Sequence, residues 1–265
     1  MHLPHLIHGS VIDLKSKGSF MGAIISSLFL SFKNLSSCGL PHAVTTRSGG
    51  VSSGVFKSLN LAKHVGDDEK LVDQNRLIVQ RFIGKKQIVF ATQIHSDLIT
   101  KITDKNRHQI HSCDALITDL KSVALAVMVA DCVPILIYDP VHNAVGVVHA
   151  GWRGTAKNIA SKTVDLMSRE FGSNPADLIV GIGAAIKSCC YEVDGAVASN
   201  FKDISKPKDN LKWSVDLQSA NKIDLMRSGV KNIEIMELCT RCDSRFFSYR
   251  RENITGRFVG VIGAK

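Results

Sequence analysis

Two short segments in the middle of the chain carry residues that could do chemistry. Asp131 and Cys132 follow one apolar run, and His149 ends a second apolar run just before a glycine-containing turn. Reactive side chains are often placed at strand ends, because the strand is rigid while the loop is open to ligands. We therefore expect Cys132 and His149 to face each other across neighbouring strands.

A third candidate, His95, follows the apolar residues 88–92. Alone, such a histidine is more often a hydrogen-bonded structural residue than a ligand. With Cys132 and His149 it could complete a zinc site that keeps an open fourth position. Alternatively, Cys132 is a nucleophile activated by His149, as in cysteine hydrolases. The spacing of the three residues leaves both interpretations open.

Two polar loops could bind an anion. Arg153 lies between Gly151 and Gly154 ahead of a predicted helix, where backbone N–H groups and a guanidinium could converge. Arg47 and Ser48 lie in the loop of residues 45–52, where Arg47 could pair with phosphate or carboxylate. On spacing alone, an ordinary turn and an ordinary loop explain both segments as well.

The seven cysteines are an odd number without regular spacing. This argues against a secreted disulfide framework and predicts reduced thiols in the cytoplasm. Cys239 and Cys242 form a C-x-x-C pair, but a structural zinc site needs a second pair, and the spacing shows none. We interpret these two residues as ordinary packing thiols.

Composition and charge exclude several classes of protein. The 265 residues are 45% hydrophobic and 22% charged, which is typical of a globular protein with its own core. The net charge of +9 could suit an anionic partner, but the positive residues are scattered and no basic stripe alternates with aromatics. A solvated basic surface therefore explains the charge, and we predict no nucleic-acid partner.

The apolar patterns predict an α+β fold. Short runs rich in Val and Ile predict strands at residues 87–92, 124–130, 134–138, 144–149, 178–182 and 258–262. Together these strands imply a central sheet. Three- and four-residue periodicity predicts a helix over residues 155–171 and another over 216–228. No linker divides the chain, so residues 36–265 are expected to form a single domain.

Residues 1–35 are expected to be a poorly ordered extension, and Met21 could be the natural start. Lys15 and Lys17 precede the apolar residues 20–32, as in a signal peptide. Lys33 and Asn34 break that pattern, and the run is too short for a span of about 20 residues. We therefore predict a cytoplasmic, unlipidated protein without a membrane segment.

Taken in order along the chain, several motifs identify a family resemblance. Among them are TRSGGVS at 46–52, QIH at 93–95, ADC at 130–132, HAGWRG at 149–154, CYEV at 190–193 and FFSYRR at 246–251. From about residue 40 onward the chain resembles the laccase-domain, or multicopper polyphenol oxidoreductase, family, which is also associated with purine nucleoside phosphorylase and adenosine deaminase activity.

The resemblance implies an αββα layered fold with mixed sheets. It also implies that His95, Cys132 and His149 hold a metal, which favours zinc over the cysteine nucleophile. Arg47 matches a family arginine proposed to hold substrate or phosphate. Ser96 and Ala184 depart from the family pattern. These two departures affect the expected local loop shape and substrate preference, and not the expected metal ligands.

The leading hypothesis is a zinc-dependent purine nucleoside enzyme that cleaves adenosine or inosine with phosphate and deaminates adenosine. Its substrate-binding residues would be Arg47, Ser48 and Arg153. A copper-dependent polyphenol oxidase is an alternative, but it needs several histidine clusters. Hydrolysis of cell-wall precursors and a non-enzymatic metal-binding role are further alternatives. The expected partners are a nucleoside and phosphate, and the expected state is a monomer.

Overall fold

Fourteen strands and seven α-helices lie within residues 27–265, the part of the chain that the computed structural model describes. The strands are β1 (Phe29–Leu30), β2 (His42–Thr45), β3 (Gln87–Phe90), β4 (Ile99–Lys101), β5 (Ala115–Thr118), β6 (Val123–Val129), β7 (Val133–Asp139), β8 (Ala144–Ala150), β9 (Ile179–Ile182), β10 (Glu192–Val193), β11 (Lys206–Pro207), β12 (Trp213–Ser214), β13 (Asn232–Ile235) and β14 (Phe258–Gly263). The helices are α1 (Lys33–Ser37), α2 (Glu69–Ile83), α3 (Trp152–Ala156), α4 (Ile159–Phe171), α5 (Gly195–Ala198), α6 (Leu217–Arg227) and α7 (Tyr249–Glu252). Short 3-10 turns span Gly54–Phe56, Lys63–Val65, Pro175–Asp177 and Ser199–Phe201.

The strands form two large mixed sheets and one small sheet. The first has the order β1-β2-β14-β6-β3, and β3 runs parallel to β6. The second has the order β13-β9-β7-β8-β5-β4, with parallel pairs at both edges and antiparallel strands in the middle. The small sheet has the order β10-β12-β11.

The two large sheets pack face to face, and helices cover their outer faces. Leu125 and Val127 of β6 share one core with Leu136 of β7 and Val147 of β8. The alternate residues of β6 point outward, as the two-residue period of a strand requires, and pack with α2. On the other side, α4 and α6 pack against the second sheet. The predicted αββα fold is confirmed.

All six predicted strands are present, but they do not share one central sheet. Residues 124–130 fall mainly in β6 of the first sheet, while β7 and β8 belong to the second. The chain crosses between the sheets at Asp131, whose φ is +99°. Hydrophobic periodicity shows that a strand is buried, but it does not show which strand it pairs with. The sequence therefore could not assign the strands to two sheets.

The helix predicted over residues 155–171 is two helices, α3 and α4. Asn158 separates them with a left-handed φ of +60°, which asparagine tolerates better than most residues. The helix predicted over residues 216–228 is α6. The Asp216 side chain caps it by accepting a hydrogen bond from the Ser219 N–H at 3.0 Å.

The described part of the N-terminal segment packs into the body of the protein. β1 pairs with β2, and Phe32 and Leu35 are fully buried. The expected domain start at residue 36 is therefore too late. Met21 and the first part of the apolar run lie outside the described residues. Within residues 27–265, no helix has both the length and the apolar character needed to cross a membrane.

Candidate metal centre and its cavity

The ends of three strands bring His95, Cys132 and His149 together. His149 lies in β8 and pairs with Pro134 of β7, so Cys132, just before β7, is close to it. His95 follows β3 in a loop where its own φ is +58°. The three ligand atoms lie within 4.8 Å of one another, and their burial ranges from the buried His149 to the exposed His95. Solvent and small ligands can therefore reach the cluster.

The three side chains enclose a space that suits one ion. The rings of His95 and His149 meet edge to face, with centroids 4.9 Å apart. Gly151 backs the cluster, and a Cβ there would lie 3.2 Å from Cys132 Sγ and 3.4 Å from His95 Cδ2. Glycine thus leaves room for a compact ligand set.

Asp114, which the sequence interpretation missed, holds two of these three residues. Its Oδ1 accepts hydrogen bonds from the His95 N–H at 3.0 Å and from His149 Nδ1 at 2.8 Å. Its Oδ2 accepts from the Ser96 N–H and hydroxyl at 2.6 and 2.7 Å, and more weakly from the Ile94 N–H at 3.3 Å. Because Nδ1 donates to the carboxylate, the Nε2 atom of His149 is available to a ligand, as in carboxylate–histidine–metal triads.

The electrostatics favour a thiolate at the cluster. Burial raises the pKa of Cys132, but the charge and hydrogen bonds of His149 and His95 outweigh burial and lower it to about 6. Burial lowers the pKa of His149, but the Cys132 charge and the Asp114 hydrogen bond raise it to about 9. For Asp114, hydrogen bonds from His149 and Ser96 overcome burial and lower the pKa to about 2. A thiolate is the form of cysteine that binds metals.

A cavity of about 270 Å³ opens onto the cluster. Besides the three candidate ligands, its lining residues are His64, Gln93, Met128, Val129, Ala130, Tyr249 and Arg257. A second cavity of about 680 Å³ shares His64, Gln93 and Met128 with the first, and Lys63, Arg76 and Arg107 add positive charge to it. The two cavities therefore adjoin each other, and both are lined by basic residues.

None of the three predicted substrate-binding residues lines the cavity at the cluster. The Arg47 Nη1 atom pairs with Glu252 at 2.6 Å, its Nε donates to the Lys57 carbonyl, and its guanidinium lies over the Phe247 ring. Arg47 is thus held by the C-terminal loop, and its predicted direct contact with a ligand is not supported.

Ser48 and Arg153 are exposed, and the Arg153 guanidinium stacks on its neighbour Trp152. The arginine at the cavity is instead Arg257. The Nη1 atom of its guanidinium donates to the carbonyls of Thr255 and Gly256. These are the only hydrogen bonds described for this guanidinium within residues 27–265. No motif spacing in the sequence marked Arg257, because its position depends on the packing of the last loop.

Comparison with known proteins places the chain in a family. The family model described as multi-copper polyphenol oxidoreductase laccase matches residues 41–265. The chain belongs to this family. It is similar to a Geobacillus stearothermophilus protein named purine nucleoside phosphorylase YlmD, which is 37% identical over 86% of this chain and 93% of its own. A Corynebacterium glutamicum protein also named purine nucleoside phosphorylase is 36% identical over 82% of this chain and 92% of its own. The crystal structure of Bacillus licheniformis YfiH has a TM-score of 0.85 at 38% identity, covering 90% and 97% of the two chains.

The donor set of this laccase-family chain suits a single zinc-type ion. One thiolate and two imidazoles are the nitrogen and sulfur ligands that zinc prefers. Multicopper chemistry requires several histidine clusters. Within residues 27–265, the other group of potential ligands consists of four cysteines and contains no histidine. The described residues therefore do not fit a multicopper centre.

Proposed function

We propose that this chain is a zinc-dependent purine nucleoside phosphorylase. The observation that carries the proposal is that Arg257 and the His95–Cys132–His149 cluster line the same cavity. In the reaction, a phosphate oxygen forms a bond to ribose C1′ as the bond from C1′ to the purine nitrogen breaks. The purine leaves with that electron pair and takes up a proton, and ribose 1-phosphate remains.

The cluster would hold the metal, and Asp114 would hold the cluster. Zinc bound by one thiolate and two imidazoles would supply a Lewis acid with an open coordination position. Asp114 fixes the ring orientation of His149 and the backbone of His95 through the hydrogen bonds described above. Such positioning keeps the ligand atoms aligned while the substrate binds.

Arg257 is the proposed phosphate-binding residue. A guanidinium presents a planar fork of N–H donors that matches phosphate oxygens. Partial burial and the charges of Arg257 and Arg76 lower the pKa of His64 in the same cavity. A neutral His64 can hydrogen-bond to a ribose hydroxyl or to phosphate. The larger adjoining cavity provides room for the purine.

Arg47 would act on this site indirectly. Glu252, the partner of Arg47, also accepts a hydrogen bond from the Thr255 hydroxyl, and the Thr255 carbonyl accepts from Arg257. This chain of contacts connects Arg47 to the position of the Arg257 guanidinium. We therefore propose a positioning role for Arg47.

Adenosine deamination is a second candidate, favoured by the mixed thiolate and imidazole donor set, which zinc-dependent deaminases share. Those enzymes also use a glutamate as general acid and base. Among the described residues that line the cavity, none is an aspartate or glutamate. This observation ranks deamination below phosphorolysis.

The test is chromatography of adenosine and inosine incubated with the zinc-loaded protein, with and without phosphate. We expect free purine and ribose 1-phosphate only when phosphate is present. Arg257→Gln should lower kcat/KM for phosphate about 100-fold or more, since a direct phosphate contact is lost, and Arg47→Lys should lower it less. Arg81→Gln, at an exposed arginine of α2 that lines neither cavity, is the matched control and should resemble the wild type.

Two results would contradict the phosphorolysis proposal. One is inosine formation from adenosine without any free base at any phosphate concentration, which would make the protein a deaminase. The other is rapid phenol oxidation by copper-loaded protein that leaves nucleosides intact, which would restore the oxidase interpretation.

We further propose that the protein works in the cytoplasm as a monomer. All seven cysteines are free thiols, which a reducing compartment maintains. Light scattering after gel filtration tests the monomer, and cell fractionation tests the location. Purification with nucleic acid or membranes through high salt would contradict the proposed partners, a nucleoside and phosphate.

A further inference from the structure

Four cysteine thiols from two loops meet outside the cavity described above. Cys189 and Cys190 follow β9, and Cys239 and Cys242 follow β13. The four Sγ atoms, which we call the four-cysteine cluster, lie within 4.8 Å of one another. Cys239 and Cys242 therefore do have a second pair of cysteines beside them, which their spacing in the sequence did not show. Their second pair is two adjacent residues, a spacing that sequence motifs do not reveal.

The separations between the sulfur atoms fit four ligands around one ion. Cys190 Sγ lies 3.3 Å from Cys242 Sγ, and Cys189 Sγ lies 3.7 and 3.9 Å from Cys190 Sγ and Cys242 Sγ. A tetrahedral zinc with bonds of about 2.3 Å places its sulfur ligands about 3.8 Å apart. A disulfide requires about 2.0 Å. The cluster is thus close to the geometry of a tetrathiolate site.

Arg241 lies between Cys239 and Cys242 in the loop that carries them. A guanidinium close to metal-bound sulfur offsets part of the excess negative charge of four thiolates.

We propose that the four-cysteine cluster binds one structural zinc-type ion, separate from the His95–Cys132–His149 site. All four positions would be protein ligands, which is the pattern of a closed, structural zinc site. The ion would join the loop after β9 to the loop after β13, which also meet through the β-bridge between Ala185 and Cys239 and through the Lys187–Glu237 ion pair. This proposal does not depend on the proposed function.

The joined loops also hold the residue before Cys132. The Thr240 hydroxyl, between two of the cysteines, donates to Asp131 Oδ1 at 2.6 Å. The Ile186 N–H donates to the Asp131 carbonyl at 2.9 Å. A metal that fixes both loops would thereby help to fix Asp131 and the strand crossing that presents Cys132.

The test counts metal ions and their thiolate ligands in the full-length protein, purified without oxygen. Native mass spectrometry should find two zinc ions per chain in the wild type and one in Cys189→Ser/Cys242→Ser, which changes the two exposed members. Cobalt titration of the metal-depleted wild type should give the strong sulfur-to-metal charge-transfer absorption of a tetrathiolate. Cys38→Ser, a half-buried cysteine outside both clusters, is the matched control and should keep both ions.

His95→Ala separates the two sites, because it should lose the other ion and retain the tetrathiolate absorption. Should the double variant fail to fold, the zinc count and the cobalt spectrum of the wild type still decide. The proposal is overturned if the double variant keeps two ions, or if wild-type cobalt shows no multi-thiolate absorption. A Cys190–Cys242 disulfide in the protein purified without oxygen would also overturn it.

Discussion

Replacing Asp114 by asparagine is the sharpest test of the proposed metal centre. The two residues have the same shape, but an amide offers one acceptor oxygen and one donor nitrogen, whereas the carboxylate offers two acceptors. Asp114 is fully buried and its two oxygens accept all five hydrogen bonds described above. The amide nitrogen must therefore face donors on one side or the other.

The cost follows from counting those donors. If the amide nitrogen takes the Oδ1 position, the His95 N–H and His149 Nδ1–H lose their acceptor; if it takes the Oδ2 position, the Ile94 and Ser96 N–H groups do. An orphaned buried donor costs roughly 1–3 kcal/mol, and because His95 and Ile94 are exposed only one donor in each case carries the full cost. We therefore expect a loss of about 1–3 kcal/mol in unfolding free energy. With His149 no longer oriented, zinc affinity should fall about 10–100-fold.

Urea unfolding of the metal-depleted protein measures the first quantity, and chelator competition measures the second. Asp139→Asn is the matched control, because Asp139 is also buried and accepts from His142 Nδ1 at 2.8 Å, at the opposite end of β7 from Cys132. It should lose stability but keep its zinc affinity. The reasoning fails if Asp114→Asn binds zinc as tightly as the wild type, or if Asp139→Asn loses as much affinity.

Three further predictions concern the cluster, the pH response and the N-terminal segment. Gly151→Ala should weaken zinc binding about tenfold or more with little loss of stability, since the new Cβ crowds Cys132 at 3.2 Å while the φ of −72° suits alanine; unchanged chelator competition would contradict this. Burial lowers the pKa of His42, so its stabilising contribution is fully present above the unfolded value of about 6.5 and is lost as the pH falls through the lower folded value. Urea unfolding at pH 7.5 and 5.5 should show this loss in the wild type and a smaller one in His42→Asn, and equal losses would exclude His42 as the cause. Phe32→Ala should cost about 3–5 kcal/mol, because this fully buried ring fills the space over Gly181; a change below about 1 kcal/mol would show that the segment does not pack as described.

The strands were predictable because each is a short, almost fully apolar run. β8, for example, is buried at every position, which is the pattern of a strand covered on both faces. Sheet membership was not predictable, because the same pattern holds for β6 in the other sheet. The break at Asn158 was also hidden, since the apolar periodicity continues through it.

Parts of the candidate site were visible in the sequence because of their residue types. Cysteine and histidine at strand ends are uncommon enough to attract attention, and the structure brings all three together. Asp114 looks like any polar residue before a strand. Its importance depends on the pairing of β5 with β8, which joins residues far apart in sequence. Arg257 reaches the cavity and Arg47 does not, because their loops pack differently. A sequence motif does not show how a loop packs.

Asp131 explains how one local conformation serves several parts of the molecule. Its left-handed φ of +99° is costly for a residue with a side chain, so the surrounding structure must hold it. The Thr240 hydroxyl and the Arg250 N–H both donate to its carboxylate, at 2.6 and 2.7 Å. The strand crossing that presents Cys132 is therefore fixed by the loop of the four-cysteine cluster on one side and by the start of α7 on the other. Thr240→Val, which removes one of these bonds without touching a ligand of the His95–Cys132–His149 site, should loosen the zinc site at Cys132. Unchanged zinc affinity in that variant would show that the Thr240 bond is not needed to hold the crossing.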